Sequence, residues 1–311
     1  MDEYKTEKCS QVPSNEGSNL DTLGQLRHPP YGGLSEDNIK TLKKRRIAKA
    51  KTLSYLFPLI DLNSDNLKGY WATYRCCHVI QQGAGKITAE FCDRRWCVVC
   101  NRIRMAKCIK GYGLIIQSWP DAHFVTLTAP TIPYDQLADE IERRASTWRK
   151  LRTRKNMRSI QGIRSVEVKP AKGRSDHVHP HYHLIVDTKQ GAEAIKSAWL
   201  DLIGNAESDA QDVKKADQNS IIELFKYITK LDASQDPAKL DTIFSVLKGR
   251  RLIQPFGGVK KIKEEVDDQE AVVFTEDVQD RVWLWINSIK TWVCPETDEV
   301  LVNTDETTAS Q

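Results

Sequence analysis

No run of 18 apolar residues occurs in this chain of 311 residues, so no membrane-spanning helix is expected. The opening Met1-Asp2-Glu3-Tyr4-Lys5 is polar and lacks the apolar core of a signal peptide, so a cytoplasmic location is expected. No internal repeat, glycine-rich phosphate loop or helicase motif is present, which leaves a repeat array or a nucleotide-driven motor without sequence support. Acidic residues are scarce over most of the length. Of 46 basic and 42 acidic residues, 2 basic and 13 acidic fall from Glu264 onward. Residues 1–263 therefore carry 44 basic against 29 acidic residues, a net charge of about +15. Such a basic body with an acidic tail suits a polyanionic partner; ordinary solubility charge is the bland alternative.

What is present divides the chain. Residues 1–38 are rich in Ser, Asn, Gly and Pro without periodicity and read as a disordered leader. Residues 39–115 hold a basic helix and a cysteine cluster, residues 116–262 the expected catalytic core, and residues 263–311 an acidic C-terminal segment. Lys40 to Lys51 contains seven Lys/Arg and no acid, and reads as a helix with either a solvated or a phosphate-tracking face. Five of eight cysteines lie within 25 residues: Cys76, Cys77, Cys92, Cys97 and Cys100. In a cytoplasmic protein that clustering points to zinc rather than disulfides. Cys92, Cys97 and Cys100 supply three of four tetrahedral ligands. Cys76 is the first candidate for the fourth, with Cys77 or His78 as substitutes. Gly83-Ala84-Gly85 would turn the two halves into a hairpin, and Cys108 and Cys294 read as packing residues.

Four of the seven histidines stand in His177-Val178-His179-Pro180-His181-Tyr182-His183-Leu184-Ile185-Val186. His181 to Val186 reads as a strand with two imidazoles on one face at period 2, a spacing suited to two ligands of one metal ion. Ile163 to Val168 reads as a neighbouring antiparallel strand. Its Glu167 is the one acid among twelve Lys/Arg between Arg143 and Arg174. Placed beside His181 and His183, Glu167 completes a facial N,N,O set for Mg²⁺ or Mn²⁺; a salt bridge to a neighbouring arginine is its bland alternative. His123-Phe-Val-Thr-Leu-Thr is a further strand. Leu137, Ile141, Ala145, Trp148 and Leu151 mark one face of a helix over 135–156. Helices are also expected over 191–203, 221–231 and 237–248, with Asn219 as a cap for the second. In that second helix Glu223, Tyr227 and Lys230 would share one face, a row that carries little weight by itself. Ala271 to Phe274 reads as a short strand, and Trp283, Trp285 and Trp292 read as core or a docking surface rather than a base-stacking platform.

Taken in order, Phe-Val-Thr-Leu-Thr, His-Pro-His-Tyr-His-Leu-Ile-Val and Glu-x-x-x-Tyr-x-x-Lys resemble the three motifs of HUH-type rolling-circle replication initiators. The upstream cysteine knuckle and the downstream Lys-Gly-Arg-Arg and Gln-Pro-Phe-Gly resemble the plasmid Rep class with a single catalytic tyrosine. The resemblance covers about residues 70–260. It implies an α+β fold: a central antiparallel sheet of about five strands, HUH/RRM-like, with flanking helices and a small zinc knuckle. It implies a metal-dependent endonuclease and strand transferase. His181, His183 and Glu167 would hold the cation, and Tyr227 would attack the DNA to leave a 5′-phosphotyrosine and a 3′-OH primer. Glu223 would activate water and Lys230 would stabilise the phenolate or phosphate. Zn²⁺ on Cys76, Cys92, Cys97 and Cys100 would be structural. The implied partners are single-stranded and origin DNA and the host helicase and DNA polymerase, with a homodimer also compatible. Tyr182 or His179 would stack on a base. A transposase or mobilisation relaxase of the same chemistry, and a non-catalytic zinc-dependent DNA-binding regulator, are the competing readings.

Overall fold

Residues 36–83, 86–226, 235–263, 265–266, 272–273 and 281–302 are described in a computed structural model of the chain. In chain order the helices and strands are α1 (Glu36–Asp61), α2 (Leu67–Arg75), β1 (Val79–Gly83), β2 (Lys86–Ala89), α3 (Val98–Gln117), β3 (His123–Thr128), β4 (Ile132–Pro133), α4 (Leu137–Thr153), β5 (Gly162–Pro170), β6 (His177–Val186), α5 (Lys189–Ile203), β7 (Asp212–Lys215), α6 (Gln218–Phe225), α7 (Pro237–Leu247), β8 (Ile253–Phe256), β9 (Val272–Val273), β10 (Arg281–Ile286) and β11 (Thr291–Val293). The class is α+β with antiparallel sheets. No helix among the described residues is long and apolar enough to cross a membrane.

Two units divide the chain. The larger takes Ile47–Cys77 and Glu90–Glu270. Its antiparallel sheet runs β7-β3-β6-β5-β8, with β4 added along the start of β6. β6 is the central strand. Thr126 pairs with His183 and Thr128 with His181 on one side; Ser165 pairs with His183 and Glu167 with His181 on the other. Directly paired residues of a sheet share a face, and that face alternates at period 2. His179, His181 and His183 therefore stand on one face with Thr126, Thr128, Ser165 and Glu167. Tyr182 and Leu184 stand on the other with Arg164 and Val166. The Tyr182 ring meets Trp148 of α4 at 6.3 Å and Trp199 of α5 at 5.5 Å. Tyr182 is only 3% exposed, packed against Trp148, Trp199 and Arg164, so the expectation that it stacks on a base is incorrect.

α4 buries Leu137, Ile141, Trp148 and Leu151 as the periodicity requires, and it also buries Glu140, Arg144 and Thr147. Arg144 donates to Glu140 Oε1 at 2.6 Å and to the backbone carbonyl of Pro180 in β6. Arg143 grips the same carboxylate at 2.6 and 2.8 Å. The helix thus carries a buried ion cluster that braces the histidine strand from its far side. α5 begins at Lys189, earlier than expected, because Thr188 caps it by accepting from the Gly191 N–H at 3.1 Å. α6 departs further from expectation. Its cap is Asp217, in a reciprocal box with Ser220, and not Asn219. It ends at Phe225, because Lys226 adopts φ −85° and ψ 58°, so the expected helix through 231 does not run unbroken. After β8, Gly257 sits at φ +68° against the Ile160 carbonyl, where an added Cβ would stand 2.1 Å from the oxygen.

The smaller unit takes Met1–Arg46, His78–Ala89 and Ala271–Gln311. Its sheet runs β11-β10-β1-β2-β9, all antiparallel, and β1 and β2 form the expected hairpin. Trp283, Trp285 and Trp292 are its core. The Trp283 indole N–H donates to Gln82 Oε1 at 3.0 Å, which satisfies the polar edge of a buried ring. The strand expected at 271–274 is the two-residue β9 among the described residues.

The Glu140 cluster generates a test. Burial raises the Glu140 pKa, but the hydrogen bonds and charges of Arg143 and Arg144 outweigh it and hold the carboxyl below its ordinary value. A depressed folded-state pKa means stability that is complete above the unfolded value of about 4.3 and fades as pH falls through the folded one. Glu140→Gln is expected to lower unfolding free energy by about 2 kcal/mol at pH 7. In urea melts the gap from the parent should narrow steadily as the pH drops below about 4.

Candidate metal centre

The register of β5 against β6 delivers Glu167, His181 and His183 to one point. The two imidazole Nε2 atoms lie 2.6 and 2.8 Å from the same oxygen, Glu167 Oε2. All three groups are buried, at 6–7% exposure. Their ligand atoms lie within 4.8 Å of one another. Behind the rings, His181 Nδ1 is 3.2 Å from the His179 carbonyl, and His183 Nδ1 is 3.3 Å from the Thr126 hydroxyl. A carbonyl can only accept, so that contact calls for a proton on His181 Nδ1; at Nε2 a second proton would bridge to Glu167, and a bound cation would take that proton's place on the Nε2 lone pair. Phe124 stacks on the His183 ring at 5.3 Å and fixes its plane.

Two lone pairs and a carboxylate that converge under burial repel one another unless a cation or protons intervene. Burial raises the Glu167 pKa, yet hydrogen bonds from His181, His183 and Lys169 hold it far below the usual carboxylate range. Burial lowers the His181 pKa, against the pull of Glu167. The donor set fits a divalent cation. Bonds of about 2.1 Å would set neighbouring ligand atoms roughly 3.0 Å apart, so the two contacts of Glu167 with the imidazoles, at 2.6 and 2.8 Å, need open by only a few tenths of an ångström. Lys169 Nζ, 2.7 Å from Glu167 Oε2, now supplies positive charge on that oxygen. At 33% exposure its side chain has room to swing away.

Other site candidates are placed as follows. His179 is on the same face, with Nε2 2.5 Å from the Thr128 hydroxyl, and His177 pairs with Asp176 at 2.9 Å. Both belong to β6, which starts four residues earlier than the expected strand. Glu223 is half-buried in the last turn of α6. Tyr227 and Lys230 lie outside the described residues. Three participants escaped the sequence reading. Thr126 and Thr128 sit at period 2 in β3 opposite the histidines, a signal that pairing of Phe-Val-Thr-Leu-Thr with the histidine strand would have exposed. Lys169 sits two residues after Glu167 and hence on its face.

The cysteine cluster forms from three chain segments. Cys76 ends α2, Cys92 lies in the loop beyond β2, and Cys97 and Cys100 open α3. Their sulfurs are 3.6, 3.6 and 3.7 Å apart for the pairs Cys76–Cys100, Cys76–Cys97 and Cys92–Cys100. Tetrahedral zinc with bonds of about 2.3 Å sets sulfurs about 3.8 Å apart, so these four fit the ion closely. Cys77, at φ +54°, is absent from the group, and its N–H is committed to the Glu90 carbonyl. Hydrogen bonds from Cys100, Cys76 and Cys97 hold the Cys92 thiol well below its ordinary pKa. Four thiolates around a dication leave two negative charges in a buried place. Two features offset them: the N-terminus of α3, and Lys49, which is 1% exposed and donates to the carbonyls of Tyr74 and Cys76 at 2.5 and 2.6 Å. The basic run Lys40–Lys51 is therefore not a uniform solvated or DNA-tracking face. Arg45, Arg46 and Lys49 are buried. The expected zinc content is one ion per chain by elemental analysis. Cys76→Ser and Cys97→Ser should each lose more than half of it, and Cys77→Ser and Cys108→Ser should keep it.

Comparison with known proteins bears on the family of the chain. Residues 86–282, well over half of the chain, match the family model described as replication protein. Protein rep of Staphylococcus aureus is 30% identical over 155 residues, which cover 44% of this chain and 67% of that protein. No solved structure matches. The matched span contains Glu167, His181 and His183 and three of the four clustered cysteines, and on its extent the chain belongs to the replication protein family of plasmid Rep initiators.

Proposed function

We propose that this initiator opens rolling-circle synthesis by cutting one DNA strand with Tyr227, joining the 5′ side of the cut to the protein. The observation that carries the reading is the convergence of Glu167, His181 and His183 on one face of the sheet, with α6 packed on β5 and β6. Tyr227 follows Phe225 by two residues, so chain connectivity tethers it to the end of that helix. A Mg²⁺ or Mn²⁺ ion held by the three residues would polarise the scissile phosphate and offset its developing charge.

In the proposed step the Tyr227 phenol gives up its proton and its oxygen forms a bond to phosphorus. The bond from phosphorus to the 3′ oxygen breaks, and that oxygen takes a proton to become the 3′-OH from which polymerase extends. His181 and His183 are kept oriented by the His179 carbonyl and the Thr126 hydroxyl, so the site needs little rearrangement. Lys230 would stabilise the phenolate, and Glu223 would take the proton from a water molecule that ends the cycle. The zinc knuckle is structural on this reading, and residues 116–262 form the endonuclease core. The proposed partners are single-stranded and origin DNA, then the host helicase and polymerase.

The test is a nicking assay on labelled single-stranded origin DNA with Mn²⁺, read on a denaturing protein gel. The parent should form a covalent adduct that chelator abolishes, and Tyr227→Phe should form none. Glu167→Gln and His181→Ala should slow adduct formation at least about 100-fold, as loss of several kcal/mol of charge stabilisation requires. Their DNA affinity should stay within about threefold of the parent. An adduct that persists in Tyr227→Phe sinks the assignment of the nucleophile. A parent that binds DNA and forms no adduct would be the non-catalytic regulator.

A further inference from the structure

Arg164 is a buried cation whose charge no carboxylate among the described residues matches. It is 3% exposed and lies between the Trp148 and Tyr182 rings, and neither its Nε nor its Nη1 has a hydrogen-bond partner. Ring faces offset part of the cost of burying such a charge, and an anion would offset more. The register sets Gln254 of β8 directly opposite Arg164 of β5, and Gln254 Oε1 accepts from Arg164 Nη2 at 2.6 Å. An amide oxygen with only partial negative charge thus stands where an anionic oxygen would bind more strongly. Arg164 and Gln254 line one cavity of about 190 Å³ together with Glu142, Arg149, Arg250 and Arg251. Four arginines against one glutamate leave three positive charges around it. Glu142 is already divided, 2.8 Å from Arg149 and 3.2 Å from Arg250. Arg251 is exposed and has no ion pair among the described residues.

We propose that this cavity binds a small phosphate dianion, free or at the end of a small phosphorylated molecule, with Arg164 at its floor and Arg250 and Arg251 at its mouth. A carboxylate offers two oxygens, whereas guanidinium forks converging from β5 and from the turn after α7 suit the several oxygens of a tetrahedral ion. The volume is several times the share of one water molecule, about 30 Å³, which takes such an ion and its remaining waters. A phosphodiester inside a DNA strand fits less well. It carries one charge rather than two, and it would have to bring a sugar on each side down to a side chain that is 3% exposed. Arg164 stands on the sheet face opposite Glu167 and the histidines, so this ligand does not share the candidate metal centre. Once bound, it would tie α4, β5 and the turn after α7 together through Arg149, Arg164, Arg250 and Arg251. The inference does not rest on the nicking reading.

Titration calorimetry of the full chain with inorganic phosphate tests it, in chloride buffer at a constant ionic strength of about 0.1 M, without DNA or added divalent metal. One phosphate per chain is expected, with a Kd of about 1 mM or below. Arg164→Met keeps an apolar side chain between the two rings and should abolish saturable binding. Arg251→Ala alters only an exposed side chain and should weaken binding about tenfold, as loss of one charge-assisted hydrogen bond predicts. Glu142→Gln releases Arg149 and Arg250 from their carboxylate and should tighten binding at least about threefold, a gain that a purely structural role for these arginines would not give. His181→Ala should bind phosphate as the parent does. No saturable binding by the parent, or unchanged affinity in both Arg251→Ala and Glu142→Gln, overturns the pocket. Loss of binding in His181→Ala would put the ion at the candidate metal centre and also overturn it. In a final arm, a ten-residue thymidine strand without a terminal phosphate is added at saturation. Phosphate should still bind, and its displacement would make the cavity a contact for the DNA backbone and overturn the small-ligand assignment. A Tyr227→Phe chain that still forms the DNA adduct would reject the nicking reading and leave the phosphate site standing.

Discussion

The register between β5 and β6 is the constraint on which the convergence of Glu167, His181 and His183 depends. Glu167 opposes His181 because each strand is read in one alignment, and a slip of one residue would send Glu167 to the face of Tyr182 and Leu184. Two interactions oppose such a slip. On the far face, Val166, now paired with Tyr182, would be driven onto the polar side. At the start of the strand, Arg144 holds the Pro180 carbonyl, and Pro180 has no N–H with which to join a shifted ladder. The candidate metal centre is thus built by backbone pairing and braced by the ion cluster of Arg144 and Glu140.

Buried cations recur throughout the larger unit, and each has a local reason. Arg144 joins Glu140 to two backbone carbonyls. Lys49 faces the cysteine cluster. Arg164 lies between Trp148 and Tyr182, with its charge 4.8 and 4.2 Å from the ring centres, and donates to Gln254 at 2.6 Å. Burial lowers the Arg164 pKa, and the Tyr182 side chain opposes that fall. A buried guanidinium without full hydrogen bonding is costly, so ring faces take part of the load that carboxylates carry elsewhere. These residues specify the packing around β6 more than they add to stability.

Much of this was legible in the sequence, and for physical reasons. Period-2 histidines followed by Leu-Ile-Val have one reading as a strand, and a single acid in a basic stretch stands out. Cys92, Cys97 and Cys100 followed from spacing, while the fourth place lay open among Cys76, Cys77 and His78 until the fold grouped Cys76 with the three and set Cys77 at a positive φ. The limits of α6 were not legible. Ile221, Leu224, Phe225, Ile228 and Leu231 keep helical spacing beyond the point where Lys226 leaves helical dihedrals, because periodicity records burial and not where a backbone stops. The Asp217 cap was missed in favour of Asn219, since both residue types cap well and only the reciprocal Ser220 separates them. Tyr182 was misjudged for a similar reason: an aromatic beside a polar site can belong to the opposite face.

Charge counting shows the same limit and narrows where a polyanion can lie. Twelve cations between Arg143 and Arg174 suggest a continuous basic track. Six of them are exposed, and Arg144 and Arg164 are core residues at 1% and 3% exposure. Arg149 and Arg250 share Glu142, so part of the remaining charge is already met on the surface. A polyanion is drawn to cations that are exposed and unneutralised, not to the sum over a segment. By that criterion the stretch after Trp148 is a weaker track than its composition implies. Arg94, Lys248 and Arg251 are exposed, and Asp93 beside Arg94 is committed to Arg104 and the Val266 N–H, so these scattered cations meet the criterion better.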